Sequence, residues 1–480
     1  MVVGADEVKA AEGGLRIAAD GAAGSYFVES FIAREPPSAA NWASWGSATV
    51  LVRLMPPAPR ARSSYGYAAC AMLEVCSLPS PRATGACAKA NPSFADLHVH
   101  LGRDREGRPV KVTASARLTL ENIFPAAERK GLHLVGLVDA VVPACLGHLG
   151  ELTARGELRA VPGGGYVRDA GTGRARPVVL LVGAEMEAEG CHYLAYFATV
   201  EELADFAAVL HPTLKNPSLS TQATDLSPAR LARLVHGRGG LFLLAHAFTP
   251  HKGYYGRHRS LEETFAGGEI DGVELGLSAD TAMADGLAEL APHPYLSNSD
   301  AHSLENLARE FTAFSLAAPS FAEVCLGLRG EGGRTILANV GLDPRLGKYH
   351  RTACGMCGFV AAAPPPVWEC PTCGGKKVTV GVVDRLAALS SGPGGRGGDR
   401  PRPPYRRQVP LGFIPGLGAA GRDRLVGVFG SELAALHLAA EDELASVVGR
   451  RVAALILAAR RGDLELAAGG GGRYGKVLQK

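Results

Sequence analysis

The chain has 480 residues and a formal net charge of +3, a balance too even to imply a nucleic-acid partner by itself. Apolar residues make up 47% and charged residues 20%, which excludes a disordered chain and leaves room for two or three domains. No apolar run reaches the roughly 18 residues of a membrane helix, and the start lacks the basic-then-apolar order of a signal peptide. A cytoplasmic protein without a membrane partner is expected, in which clustered thiols favour metal binding over disulfides.

Residues 1–92 read as a poorly patterned extension. They are Ala-rich, broken by Pro56-Pro57 and Pro79-Ser80-Pro81, with one expected strand from Thr49 to Met55. Cys70, Cys76 and Cys87 lack metal-ligand spacing. The segment is either a loosely folded extension or the product of a start codon assigned too early.

From residue 93 to 343 the pattern is α/β. Short apolar runs at Leu132–Val138, Val178–Val182, Gly240–Ala245, Gly272–Leu275 and Pro294–Leu296 alternate with helical stretches such as Leu118–Lys130 and Pro228–Arg238, the latter capped by Ser227. That alternation predicts a largely parallel sheet. In Asp96-Leu97-His98-Val99-His100, and again in Asp300-Ala301-His302, two ligand-type residues flank one apolar residue. On a strand, i and i+2 share a face, so each piece aims two metal ligands at one point. Asp139, Glu185, His246 and Asp300 each follow an apolar run, which puts ligand chemistry at strand ends, where β/α barrels build their sites.

Residues 344–386 carry Cys354-x2-Cys357, twelve residues, then Cys370-x2-Cys373, the spacing of a structural four-thiolate zinc module with no open position for substrate. Residues 387–409 read as a Gly/Pro/Arg linker with Arg396, Arg400, Arg402, Arg406 and Arg407, either simply solvated or in contact with phosphates. Residues 410–480 read as short helices with hairpin glycines at Gly416, Gly418 and Gly449. They form either helix-hairpin-helix units that present backbone N–H groups to DNA or a plain helical bundle.

The strand-end ligands resemble those of the polymerase and histidinol phosphatase (PHP) superfamily, whose fold is a distorted β/α barrel. The blocks DLHVH, Thr113-Ala114-Ser115, AHAFTP, ELGLSAD, SNSDAHS, Arg309-Glu310, GKYH, the paired cysteine knuckles, TVGVVDRL, FGSE and GRYGKV resemble successive blocks of endonuclease Q. The resemblance implies a metal-dependent endonuclease that cuts DNA 5′ to a deaminated base (uracil, hypoxanthine or xanthine) or an abasic site. It implies His98, His100, Asp139, Glu185, His192, His246, Asp300 and His302 as ligands of two or three divalent ions (Zn2+, Mn2+ or Mg2+), with His98, His100, Asp300 and His302 carrying catalysis. Damaged DNA is the implied partner, which leaves room for other replication or repair proteins; the oligomeric state is open. The chain departs from the family at Asp139-Ala140-Val141-Val142-Pro143, where a histidine is missing, and at Phe248 and His251, which soften an aromatic pair. The rival readings are a phosphoesterase or exonuclease of other substrates and a DNA-binding homologue that has lost catalysis.

Overall fold

The computed structural model describes residues 92–168, 177–265, 269–390 and 402–478, together with three short strands before them. Those strands, β1 (Leu15–Ala19), β2 (Tyr26–Ser30) and β3 (Thr49–Val52), pair antiparallel within a unit spanning Met1–Pro79. The strand expected at Thr49 is present; Cys70, Cys76 and Cys87 lie outside the described residues, as do Arg396 and Arg400.

The second unit, Ser80–Lys480, holds the remaining elements. Its first half runs β4 (Ser93–Val99), α1 (Leu120–Lys130), β5 (Leu134–Leu137), α2 (Pro143–Ala154), β6 (Leu158–Ala160), β7 (Tyr166–Arg168), β8 (Val179–Ala188), β9 (Cys191–Phe197) and α3 (Val200–Leu210). Then come α4 (Pro228–His236), β10 (Leu241–Leu244), α5 (Tyr254–Arg257), β11 (Gly272–Glu274), α6 (Thr281–Ala284), β12 (Tyr295–Leu296), β13 (Phe311–Ser315), α7 (Phe321–Arg329) and β14 (Thr335–Leu342). Helix starts follow local chemistry: Thr199 and Glu202 form a reciprocal cap on α3, and the Ser227 hydroxyl accepts from Arg230 N ahead of α4.

The main sheet is mixed rather than largely parallel. Its order is β12-β11-β10-β9-β8-β5-β4-β13-β14, extended by a last strand described below. The main correction is at β8 and β9, which form a long antiparallel hairpin. Their two-residue turn, Glu189-Gly190, has φ of 49° and 77°, a left-handed pair that matches the twist of a hairpin and has no place in a crossover. Beyond β12 the chain returns to β4: Ala301 N donates to the His98 carbonyl at 3.0 Å, and His100 N donates to the Ala301 carbonyl at 3.2 Å. This bridge curls the sheet into a distorted, incompletely closed barrel. One core, with Ile123, Phe124, Leu137, Leu203, Phe206 and Val235, lies between sheet and helices. A second, with Leu97, Leu181, Tyr196 and Leu243, is capped by Phe321, Val324 and Leu328 of α7.

Beyond β14 come β15 (Ala353–Cys354), β16 (Val378–Thr379), α8 (Val382–Leu389) and β17 (Tyr405–Gln408). Strand β17 pairs in parallel with β14, so the segment read as a linker over 387–409 ends inside the main sheet. The C-terminal region consists of α9 (Ala419–Phe429), α10 (Glu432–His437), α11 (Glu441–Val448), α12 (Arg450–Arg461) and the hairpin β18 (Leu466–Ala467) with β19 (Lys476–Val477). Leu417, Leu425, Leu436, Leu444 and Ile456 form its core. It docks on the barrel through Leu433, which joins the barrel core, and through Lys130 Nζ, 2.7 Å from Glu432 Oε2. Among the described residues no helix is long and apolar enough to cross a membrane.

Candidate metal centre

The site is assembled at one rim of the barrel. A parallel strand ends where its antiparallel neighbour begins, so the end of β4, the C-terminal half of β8, the start of β9 and the ends of β10, β11 and β12 converge there. Strand β4 reaches it through a bulge: Asp96 pairs with Val135 but Val99 with Leu137, which leaves one extra residue on β4. The bulge re-aims the strand so that His98 and His100 turn into the cluster.

Both imidazoles are fully buried and held from behind. His98 Nδ1 lies 3.0 Å from Glu274 Oε2, and His100 Nδ1 lies 3.0 Å from Asp139 Oδ1. Their other nitrogens point into the site: His98 Nε2 is 3.3 Å from Glu185 Oε1 and 3.6 Å from Asp300 Oδ1, while His100 Nε2 is 3.4 Å from Asp300 Oδ1. Neither Nε2 has a hydrogen-bond partner although both are shielded from solvent. A buried polar atom left unpaired is costly, and a carboxylate behind an imidazole is the arrangement that presents the far nitrogen to a metal.

Glu185 is the hub. Its Oε1 is 2.9 Å from His192 Nδ1 and 3.5 Å from His246 Nε2, and its Oε2 accepts from Lys111 Nζ at 2.9 Å and from Thr221 Oγ1 at 2.6 Å. Three overlapping donor sets result: His98, His100 and Glu185; Glu185, His192 and His246; His100, Asp300 and His302. Seven of the eight expected ligands are thus brought together. Asp139 is the exception. Its carboxylate is used up by His100 Nδ1, by Leu101 N at 2.7 Å and by the Ser220 hydroxyl, so it stands behind a ligand instead of in the cluster.

Backbone strain marks the same residues. His246 has φ of 29° and Asp300 of 47°, a region that side chains other than glycine seldom occupy. Gly276, with φ of 72°, leaves room for His246; a Cβ there would sit 3.0 Å from the His246 Cβ. The Asp300 turn is pinned from below, since the Asp96 carboxylate accepts from Ser299 N and Ala308 N, each at 2.9 Å. Arg309 pins it from the side, with Nε 2.8 Å from the Ser299 carbonyl and Nη2 3.3 Å from the Asp300 carbonyl.

The charges are set by burial and neighbours. Burial opposes the charged forms of Glu185 and Asp300, but the surrounding cations outweigh it and hold both well below the usual carboxylate range. Burial likewise disfavours charged His98 and His100, yet Glu274 and Asp139 among others raise both above an ordinary imidazole. Burial lowers His302 to about 4, so it is a neutral donor at pH 7. Solvent reaches the cluster on the Asp300 and His302 side, whose side chains are 27% and 30% exposed, while His98 and His100 are at 0%. The open side of the cluster is therefore the Asp300 and His302 side.

None of the positions where the chain departs from the resembled family belongs to these donor sets. Val142 is packed in the core ahead of α2, and Phe248 is buried with its ring 5.5 Å from Tyr255. His251 meets Tyr349 edge-on at 5.2 Å. Sequence reading missed Glu274, Lys111, Ser220 and Thr221. Glu274 carries the signal used for the other strand-end ligands, being the last residue of β11; the other three carry none.

The four cysteines also converge. Cys354 Sγ is 3.7 Å from Cys373 Sγ, and Cys357 Sγ is 3.5 Å from Cys370 Sγ. Thiolates around one tetrahedral ion with a 2.3 Å bond would be about 3.8 Å apart. Of the C-terminal glycines, Gly416 and Gly449 have φ of 82° and 80°, and Gly418 caps α9. Arg406 and Arg407 lie exposed on β17, and Arg407 is paired with Asp280 at 3.0 Å.

A rim of histidines and carboxylates on a distorted α/β barrel, open on one side, defines a metal-dependent hydrolase. No family model matches the chain. It is 44% identical over 393 residues to the uncharacterized protein YqxK of Bacillus subtilis, across 80% of this chain and 98% of that protein. It is 36% identical over 260 residues to the uncharacterized protein MJ0043 of Methanocaldococcus jannaschii, across 49% of this chain and 32% of that protein. Among solved structures, it is similar to the lesion-specific endonuclease PfuEndoQ from Pyrococcus furiosus, at 32% identity and a TM-score of 0.69, across 80% of this chain and 95% of that one. An endonuclease Q complex with a 27-mer duplex carrying an abasic lesion at the active site matches at 32% identity and a TM-score of 0.70, across 81% of this chain and 97% of that one. The chain belongs to the endonuclease Q family.

Proposed function

We propose that this protein is a DNA repair endonuclease that uses divalent cations to hydrolyse the phosphodiester 5′ to a deaminated base or an abasic site. The observation that carries the reading is the pair of buried, unpartnered nitrogens, His98 Nε2 and His100 Nε2, aimed with Glu185 and Asp300 at one point in a chain of this family. His98, His100, Glu185 and Asp300 would hold one ion, and Glu185, His192 and His246 another. Such cations supply Lewis acidity, giving a nucleophilic water near neutral pH and offsetting the charge of the phosphoryl oxygens.

The chain's own groups do the positioning. Glu274 and Asp139 fix the two imidazoles, the Asp96 and Arg309 contacts fix Asp300, and neutral His302 stands beside Asp300 on the open side. Zinc is the proposed occupant of the four-cysteine module. Arg406 and the hairpin glycines Gly416, Gly418 and Gly449 are the proposed DNA backbone contacts, and extrusion of the lesion from the stack is the expected prelude to cleavage.

The test is a nicking assay. Duplexes carrying one uracil, hypoxanthine, xanthine or abasic site are incubated with the protein and Mn2+, Mg2+ or Zn2+, beside the Asp300→Asn variant. A nick 5′ to the lesion that falls at least about a hundredfold in the variant is expected. Equal cutting of undamaged duplex, or turnover of small phosphate esters alone, would sink the reading.

A further inference from the structure

A lone exposed apolar side chain is ordinary on a protein surface. Val112 is set apart by where it stands and how firmly it is held. It is 73% exposed, the most of any large apolar side chain among the described residues, and the others lie on β14, the cysteine module and the C-terminal region. Val112 instead occupies the tip of a turn, closed by Ala114 N donating to the Lys111 carbonyl at 3.0 Å, a place that usually goes to Gly, Pro, Asn, Asp or Ser. Both flanks of the turn are tied to the cluster. Before the tip, Lys111 Nζ donates to Glu185 Oε2 at 2.9 Å; after it, Ser115 N donates to the His302 carbonyl at 2.8 Å. His302 lies on the open side, so the tip stands beside the opening. The base of the loop is fixed as well. Lys111 N donates to the Leu101 carbonyl and Ser220 N to the Val110 carbonyl, each at 2.9 Å. A Cβ on Gly102 would meet the Ser115 carbonyl oxygen at 1.9 Å, so only glycine lets the two ends of the loop pass.

We infer that Val112 is a wedge that enters the DNA stack at the place the lesion leaves. The inference rests on the reading of the protein as a DNA repair endonuclease. To be read, a damaged base must come out of the stack, and the gap it vacates is unfavourable until something apolar fills it. An aliphatic side chain fills such a gap without competing for the hydrogen-bonding edge of the base left unpaired. Valine has little freedom to lose in doing so, because branching at Cβ already restricts its one torsion. The loop that carries it is ordered before DNA arrives, so the wedge is presented rather than recruited. Arg117, two residues beyond Ser115, keeps its side chain 75% exposed with Nη1 3.6 Å from the equally open Glu305, a weak pairing that leaves the guanidinium for the neighbouring phosphate.

The experiment compares a stacked lesion with an unstacked one. The full chain with Mn2+ is given one uracil, either in a duplex opposite guanine or in the same strand without its complement, and single-turnover rates are taken. In Val112→Ser the ratio of duplex to single-strand rate should fall at least about tenfold, the loss expected when burial of a valine side chain is withdrawn, and Val112→Leu should restore it. An unchanged ratio in Val112→Ser, whether both rates hold or both fall, overturns the inference. A second measurement needs no cleavage. With 2-aminopurine beside the uracil and Asp300→Asn keeping the strand whole, binding to the duplex should raise the fluorescence, and adding Val112→Ser should remove most of that rise; an equal rise with and without Val112, or none at all, overturns the inference. Should wild type cut neither substrate, the endonuclease reading itself fails, and the fluorescence still decides the role of Val112.

Discussion

Each ligand at this centre is only as good as the residue behind it. The His98–Glu274 and His100–Asp139 pairs set which ring nitrogen faces the site, and each lies 3.0 Å apart with both partners buried. Replacing Asp139 with Asn or Glu274 with Gln keeps the shape and removes the charge. Each change should weaken metal affinity or activity about 10–100-fold, read by titrating Mn2+ into the metal-free protein. The pH dependence has a definite sign: with their pKa values raised, His98 and His100 keep protons to higher pH than free imidazole, and a ligand must shed its proton to bind. Affinity should therefore climb with pH through and above the ordinary imidazole range near about 6.5. Unchanged affinity in both variants would remove the orienting role. At this scale the sequence was informative about the donors, because HxH and DxH put two ligands on one side of a short segment. It was silent about Lys111, Ser220 and Thr221, which meet the donors only through loops more than 30 residues apart in the chain.

Among the elements, the β8–β9 hairpin decides the most. Because β9 runs against β8, His192 at its start lies across from Glu187 and beside Glu185; a crossover would have sent it to the far end of the barrel. Apolar runs alone do not reveal strand direction, and the Glu189-Gly190 turn was the available clue. Strand β17 was hidden for a similar reason: Tyr405, Arg406, Arg407 and Gln408 have the composition of a linker, and their pairing with β14 is long-range. By contrast, the cysteine knuckles and the C-terminal helices were legible, since their signals are local. One element has a pH signature of its own. His437 of α10 lies with Nε2 3.0 Å from Gln408 Oε1, and burial, helped by Arg460 and Arg406, lowers its pKa to about 4. A depressed imidazole stabilises the fold above its unfolded value near about 6.5, and that stability is lost as pH falls toward about 4, by up to about 3 kcal/mol. Denaturant melts over this window should show the loss in wild type and a flatter dependence in His437→Gln; equal slopes would clear His437 of the effect.

Across the whole molecule, the catalytic rim, the cysteine module and the helical region belong to one unit, and the net charge of +3 leaves DNA affinity to local patches. Arg407 spends its charge on Asp280 and Asp343, which leaves exposed Arg406 as the better phosphate contact on β17. Binding to duplex should weaken at least about tenfold between about 50 and 200 mM salt. Arg406→Ala should reduce the slope of log affinity against log salt by about 1, whatever lesion the duplex carries. A slope equal to wild type would place the phosphate contact elsewhere.

Arg309 gives the architecture a last consequence. While two of its nitrogens hold the Asp300 turn, Nη1 donates to the Tyr474 hydroxyl oxygen at 2.9 Å, so a residue of the cluster and a residue of the loop between β18 and β19 share one guanidinium. Removing the Tyr474 hydroxyl would leave every cluster donor in the sequence and take one partner from the arginine that holds the Asp300 turn. The rim that gathers residues 98 to 302 is thus braced by a contact that forms only when a hairpin 165 residues beyond Arg309 has folded against it.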